Sequence, residues 1–139
     1  MRAVLDPNIA IAALLSQQGA PAQIVSRWLD GEFELVVSEQ LLAELERALA
    51  YPKLRARIAL AEADEFVTLL RSRAHVAPDP AIAPRRAADP GDDYLLALAE
   101  SERAVLVSGD RHLLDLADDL PIRTARGWLE ELGGRSSMA

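Results

Sequence analysis

Two short apolar runs in this chain each stop at an aspartate. Arg2-Ala3-Val4-Leu5 ends at Asp6, and Ala104-Val105-Leu106-Val107 ends at Ser108-Gly109-Asp110. Runs of this length without polar alternation read as strands buried on both faces of a parallel sheet, and a helical pattern follows each. Asp6-Pro7-Asn8 opens a helix whose first position suits proline, and Ile9 to Leu15 is apolar all round, which predicts a buried helix. Gly19-Ala20-Pro21 breaks the pattern before a second helix from Ala22 to Leu29. Asp30-Gly31 turns the chain into a strand from Phe33 to Val37, and Ser38 caps a long helix reaching Ala50. Helical stretches are expected at Lys53 to Ala59 and Glu62 to Arg73, with a third strand at His75-Val76-Ala77. Pro78 to Pro90 contains four prolines and is expected as a flexible loop.

A helix from Pro90 to Glu102 leads into the second apolar run. A short helix from Arg111 to Leu116, a strand from Pro121 to Thr124 and a helix from Ala125 to Leu132 follow. Residues 1–132 are therefore expected as a single domain, and Gly133 to Ala139 as a flexible C-terminal tail. Strands alternating with helices predict a three-layer α/β/α sandwich with a mainly parallel central sheet.

Composition narrows this picture. Half of the 139 residues are hydrophobic, which excludes intrinsic disorder, and only 4% are aromatic, so Leu, Val, Ile and Ala must build the core. No apolar stretch approaches the ~20 residues needed to span a membrane. The chain enters a strand almost at once, leaving no room for a signal peptide, and it has no cysteine; a cytoplasmic location is expected. A formal charge of −7 argues against a protein that coats nucleic acid through a basic face, though not against an enzyme whose acids are neutralised by cations. The positive residues form groups: Lys53, Arg55 and Arg57; Arg71 and Arg73; Arg85 and Arg86. Arg71 and Arg73 read as a solvated helix face. The other two groups lie near turn signals, where they could meet a phosphate backbone.

The acids separate unequally. Asp6 and Asp110 each sit between a strand and a helix, where an aspartate is often only an N-cap worth ~1 kcal/mol. In an open α/β sheet, however, the carboxyl ends of the strands form the rim where ligands bind. In Asp89-Pro90-Gly91-Asp92-Asp93, Asp89 reads as a cap. Three, four and seven positions beyond Asp92 stand Leu95, Leu96 and Ala99, which places Asp92 on the stripe facing the sheet. Asp93 leads to Ala97 and Glu100, a more exposed line. A carboxylate on a buried stripe needs a partner. The Ser38 helix carries Glu39, Glu44 and Glu46, all at or beyond the edges of the Leu41, Leu42, Leu45, Leu49 face, and the helical wheel does not choose among them.

Taken together, Val4-Leu5-Asp6-Pro7-Asn8, Ser38 followed by Glu44, Asp89 to Ala99, and Leu106-Val107-Ser108-Gly109-Asp110 resemble the PIN-domain family of metal-dependent ribonucleases, especially the VapC-like toxins of toxin–antitoxin pairs. The resemblance runs from Ala3 to about Trp128. It matches Asp6, Glu44, Asp92 and Asp110 to the family's acidic quartet, as catalytic and metal-binding residues, and Asn8 and Ser108 to small polar positions that support the acids by hydrogen bonding. Pro7 departs from the pattern, standing where a Thr or another small residue is usual. The resemblance further implies an RNA substrate, a cognate antitoxin protein, a homodimer, and one or two Mg²⁺ or Mn²⁺ ions.

Such chemistry suits these residue types. Carboxylates ~4 Å apart repel by about 4 kcal/mol per pair at an effective dielectric near 20, so at least one should carry a raised pKa without metal. Oxygen ligands favour Mg²⁺ or Mn²⁺, which activate water and stabilise a charged transition state. The cut implied by the resemblance leaves a 5′-phosphate and a 3′-hydroxyl. Lys53, Arg55, Arg85, Arg86 and Arg111 are candidate contacts to RNA phosphates, although a solvated turn also accounts for Arg111 and His112. His75 reads as an ordinary strand-edge residue, and Trp28 and Trp128 as core or subunit-contact residues.

Other readings carry their own expectations. A phosphatase of the haloacid dehalogenase type would use Asp6 as nucleophile, Ser38 and Lys53 on phosphate, and Asp110 with Asp115 on Mg²⁺. It normally has a second aspartate two residues after the nucleophile, where this chain has Asn8. A phosphoacceptor receiver domain would need an acidic pair after the first strand and a lysine after the last strands, but Lys53 is the sole lysine. A PIN scaffold that only binds RNA is a third reading.

Overall fold

A computed structural model describes residues 1–138. The elements run β1 (Arg2–Leu5), α1 (Pro7–Leu15), α2 (Ala20–Leu29), β2 (Glu34–Val37), α3 (Glu39–Leu49), α4 (Pro52–Arg55), α5 (Leu60–Arg73), β3 (His75–Val76), a 3₁₀ turn (Pro90–Asp92), α6 (Asp93–Ser101), β4 (Val105–Val107), α7 (Arg111–Leu114), β5 (Ile122–Arg123) and α8 (Ala125–Met138). All four strand pairings are parallel, in the order β3-β2-β1-β4-β5.

This order decides where a site can lie. The chain steps outward from β1 through β2 to β3, then crosses back to β4 and steps outward again to β5. Right-handed crossovers put the helices of the first half on one face and α6 and α7 on the other. Accordingly α1 packs on α2 and α3, α3 on α5, and α8 on α2, while α6 packs on β1 and β4. The result is the three-layer sandwich that the sequence pattern predicts. Strand order reverses between β1 and β4, and the crevice at the carboxyl ends of those two strands is where open α/β sheets bind ligands. Asp6 and Asp110 lie just beyond those ends.

The elements form for local reasons. Both β1 and β4 are buried along most of their length, and Asp6 N–H continues the ladder to the Val107 carbonyl at 3.0 Å. Pro21 falls in the first turn of α2, so the helix starts at Ala20 rather than at Ala22. Ser38 Oγ accepts from Leu41 N–H at 3.2 Å and caps α3 where expected. Gly31, at φ 84°, makes the left-handed turn between α2 and β2 that a side chain would resist. Leu35, Leu42, Leu45, Leu95, Leu98, Leu106 and Ile122 are fully buried across both sides of the sheet, and Phe33 meets Trp128 edge-on at 5.6 Å. Trp28 and Trp128 are both buried within the domain.

Three expectations about elements are corrected. The helix from Lys53 to Ala59 is a single turn, Pro52–Arg55, with Ile58 buried beyond it. The helix expected from Pro90 is broken into the 3₁₀ turn and α6, because Asp89 accepts the Gly91 N–H at 2.8 Å and tightens the first turn. The last helix does not stop at Leu132: α8 continues through Gly133 and Gly134 to Met138, into the segment named as a tail, and Ala139 lies outside the described residues. Leu132 is buried and Gly133–Gly134 follow with open space around them, so two poor helix formers are carried along on a docked helix.

Candidate active site

Asp6 is the anchor of the rim. Its side chain is buried, 6% exposed, and both oxygens are held: Oδ1 accepts from Asn8 N–H at 3.1 Å and Oδ2 from Ser108 Oγ at 2.8 Å. The same Ser108 hydroxyl oxygen accepts from Asp110 N–H at 3.0 Å, so one buried serine ties the end of β1 to the end of β4. Asp110 in turn accepts from His112 N–H at 2.8 Å and caps α7. The cap readings of Asp6 and Asp110 are therefore true, and they do not exhaust these residues. Asn8 reaches Asp6 through its backbone N–H, and its side chain is exposed.

Electrostatics gather the remaining acids around this pair. Burial pushes the Asp6 carboxyl above its ordinary value, with Asp110 adding to the rise while the Asn8 and Ser108 hydrogen bonds oppose it. Asp92 is pushed up to about 6, first by burial and then by the negative charges of Asp6, Asp89, Asp110 and Glu44. Asp92 heads α6 without making a side-chain capping bond, so the usual reason for an aspartate at that position does not apply. Among the described residues, no group of three or more His, Asp or Glu side chains is already gathered at the spacing of a metal cage. The acids are close enough to perturb one another but are not drawn into one chelate.

The structure gives the glutamates of α3 different partners, where the helical wheel does not tell them apart. Glu39 and Glu46 are exposed and pair with Arg71 of α5, at 2.6 Å and 3.5 Å. Arg71, expected as part of a merely solvated face, thus joins α5 to α3. Glu44 is half-buried and accepts a hydrogen bond from the Tyr94 hydroxyl of α6. Tyr94 is itself buried, and burial together with the Glu44 carboxylate pushes its phenol above the ordinary range, so it remains a proton donor. Sequence reasoning missed Tyr94. The available signal was a tyrosine on the buried stripe of α6, two residues past Asp92, whose hydroxyl had to find a partner.

The helical-wheel argument that puts Asp92 on the buried stripe and Asp93 on the exposed line is reversed by the structure. Asp93, placed by that argument on the more exposed line, is 3% exposed, whereas Asp92 is half-buried. Asp92 lies in the 3₁₀ turn, outside the 3.6-residue period that was projected through it. The irregular segment before it folds back over Asp93, whose carboxylate accepts from Ala87 N–H at 2.7 Å, Arg85 Nη1 at 2.7 Å and Arg86 N–H at 2.9 Å. These bonds hold the Asp93 carboxyl at about 2. Arg86 pairs with Glu100 at 2.7 Å. Arg85 and Arg86, candidate phosphate contacts, are thus also clasps that fasten the irregular segment to α6. At its other end, Asp79 accepts from Gln40 N–H of α3 at 3.0 Å.

The other candidates are less enclosed. Lys53, Arg55 and Arg111 are exposed, with Arg55 Nε donating to the Leu49 carbonyl at 3.2 Å. His75 lies on edge strand β3, 3.0 Å from Glu102, as a strand-edge residue should.

Comparison with known proteins agrees with this architecture. Residues 2–112 match the PIN domain family. An uncharacterised protein of Methanocaldococcus jannaschii, MJ1680, is 24% identical over 119 residues, 86% of this chain and 77% of that one. Among solved structures, PAE2754 of Pyrobaculum aerophilum superposes with a TM-score of 0.66 at 23% identity, covering 96% of this chain and 90% of its own. The VapBC2 structure of Rickettsia felis, bound to a DNA fragment from their promoter, gives 0.64 at 16% identity over 89% and 98%. VapBC-1 of nontypeable Haemophilus influenzae gives 0.62 at 22% identity over 91% and 99%. The structural likenesses establish the fold. With the family match covering most of its length, this chain belongs to the PIN domain family.

Proposed function

We propose that this chain is a metal-dependent ribonuclease that hydrolyses RNA phosphodiester bonds, and that it serves as the toxin of a toxin–antitoxin pair. The observation that carries the reading is Asp92: a carboxylate with no capping bond that feels the negative charges of Asp6, Asp89, Asp110 and Glu44 near the carboxyl edge of β1 and β4. Apposed like charges are unfavourable for the fold alone and are relieved by a divalent cation.

The donor set fits Mg²⁺ or Mn²⁺, being all oxygen with no thiol or imidazole among the four acids. Asp6, Glu44, Asp92 and Asp110 are the residues that would hold one or two ions. When bound, the metal would activate water and stabilise negative charge on the phosphate. The rest falls to the protein. Each Asp6 oxygen accepts one hydrogen bond and keeps a lone pair free, so the carboxylate is oriented but not used up. Ser108 holds Asp6 and Asp110 in register across the two strands. Arg111, exposed beside Asp110, is proposed to meet the RNA backbone, and Lys53, Arg55, Arg85 and Arg86 to extend that contact.

The partner reading is supported by the fold shared with the two VapBC structures, and a small antitoxin protein is the proposed ligand. The phosphatase reading loses support from Ser38, which is completely buried as the α3 cap and has no surface to offer a phosphate. Among the described residues no helix is long and apolar enough to cross a membrane.

The test is RNA cleavage in Mn²⁺ or Mg²⁺ by the native chain, Asp6→Asn and Asp92→Asn. Metal-dependent cleavage by the native chain alone is expected. Equal cleavage by all three overturns the site.

A further inference from the structure

Glu44 is the one acid of the quartet that sits within a helix rather than beside the end of a strand or the head of a helix. It also belongs to the opposite layer from α6, since α3 follows β2 and α6 lies across the sheet. The backbone that positions Asp6 and Asp110 therefore does nothing to aim Glu44. A half-buried glutamate with three rotatable bonds loses appreciable freedom when held in one direction, so something must hold it. What holds it is a hydroxyl: Tyr94 donates to Glu44 Oε2, and among the described residues Oε1 has no hydrogen-bond partner. Tyr94 is 7% exposed and packs in the core, so its ring is not free to swing away. It stands two residues beyond Asp92, on the first turn of α6, and feels the charges of Glu44, Asp6 and Asp92 together.

We propose that Tyr94 is the positioning residue of the acidic site, a phenol that reaches across the carboxyl edge of the sheet to aim Glu44 toward the ion that Asp6 and Asp92 would hold. This inference rests on the metal-dependent reading above. Second partners of this kind fix ligand orientation, and their removal commonly weakens metal binding ~10–100-fold.

The experiment is a double-mutant cycle read by calorimetric Mn²⁺ titration of the intact chain in the absence of RNA, with cleavage as a second readout. Tyr94→Phe keeps the ring and deletes only the hydroxyl, and circular dichroism checks its fold. We expect Mn²⁺ affinity to fall about tenfold in Tyr94→Phe and at least as far in Glu44→Gln. The double variant should be no weaker than Glu44→Gln alone, because the hydroxyl acts only through Glu44. Tyr51→Phe, a hydroxyl deletion at an exposed tyrosine, should leave binding unchanged. Native affinity in Tyr94→Phe, or additive losses in the double variant, overturns the positioning role while leaving the ribonuclease reading intact. A native chain that neither binds Mn²⁺ nor cleaves RNA overturns both. If Tyr94→Phe does not fold, Glu44→Asp, which draws the carboxylate out of the phenol's reach, must lose Mn²⁺ affinity to the same degree; native affinity there overturns the proposal.

Discussion

Asp92→Asn offers a direct reading of what the acidic rim costs the fold. The Asp92 carboxyl titrates at about 6 in the folded chain against an ordinary 3.8. A raised carboxyl pKa means that the folded state binds the proton more tightly than the unfolded state. Between 3.8 and about 6 the unfolded chain has released this proton and the folded chain has not, so stability falls as pH rises through that window. Above it the penalty is fully present, and below it absent. At ~1.4 kcal/mol for each tenfold change in proton affinity the ceiling is ~3 kcal/mol. Because Asp92 is only half-buried, solvent screening reduces this to about 1 kcal/mol. Asn keeps the size of the side chain, removes the charge, and forfeits no capping bond.

Urea unfolding in EDTA at pH 8 should therefore find Asp92→Asn more stable than the native chain. With m near ~2 kcal/mol per molar urea, the midpoint should move up by about 0.5 M. At pH 4 the two midpoints should converge. Adding Mn²⁺ at pH 8 should reverse the order, because only a protein that binds the ion gains from it. A variant less stable than native at pH 8 in EDTA, by an amount unchanged at pH 4, would show that Asp92 is a structural residue and refute the argument.

Asp93 should behave in the opposite sense. Its carboxyl is held at about 2 by Ala87, Arg85 and Arg86, so its contribution is complete above the ordinary 3.8 and is lost as pH falls toward 2. Asp93→Asn should raise the pH midpoint of acid unfolding, and at pH 7 it should speed hydrogen exchange at the Arg86 and Ala87 amides. Unchanged exchange would mean that the irregular segment is held by something else. Ser108→Ala removes both the donor to Asp6 and the acceptor for Asp110 N–H. It should weaken Mn²⁺ binding ~10–100-fold with the fold retained, measured by calorimetry; native affinity would show that the strand ends suffice to align the two acids.

Much of this molecule is legible along the chain. Apolar runs without alternation announce buried parallel strands, and the aspartates that end them mark the rim, because where a strand stops is a local property. Ser38 as a cap and proline at the start of α1 are equally local. Strand order is not local, and it alone makes β1 and β4 neighbours, so that Asp6 and Asp110 share one serine. Nor could periodicity separate Asp92 from Asp93. A helical wheel reports burial against the helix's own core face, and here the period begins one residue late while a segment from outside the helix covers Asp93. Glu44 shows the same limit from the other side. Its neighbours along α3 do not distinguish it from Glu39 or Glu46, and the distinction is made by Arg71 of α5 and Tyr94 of α6. By itself the sequence determined the layers, the rim and two of its acids, through short-range patterns of burial and turn formation. Only the tertiary structure decided which other acids lie within reach of their charge, because a carboxylate's surroundings depend on the partners brought to it from distant parts of the chain.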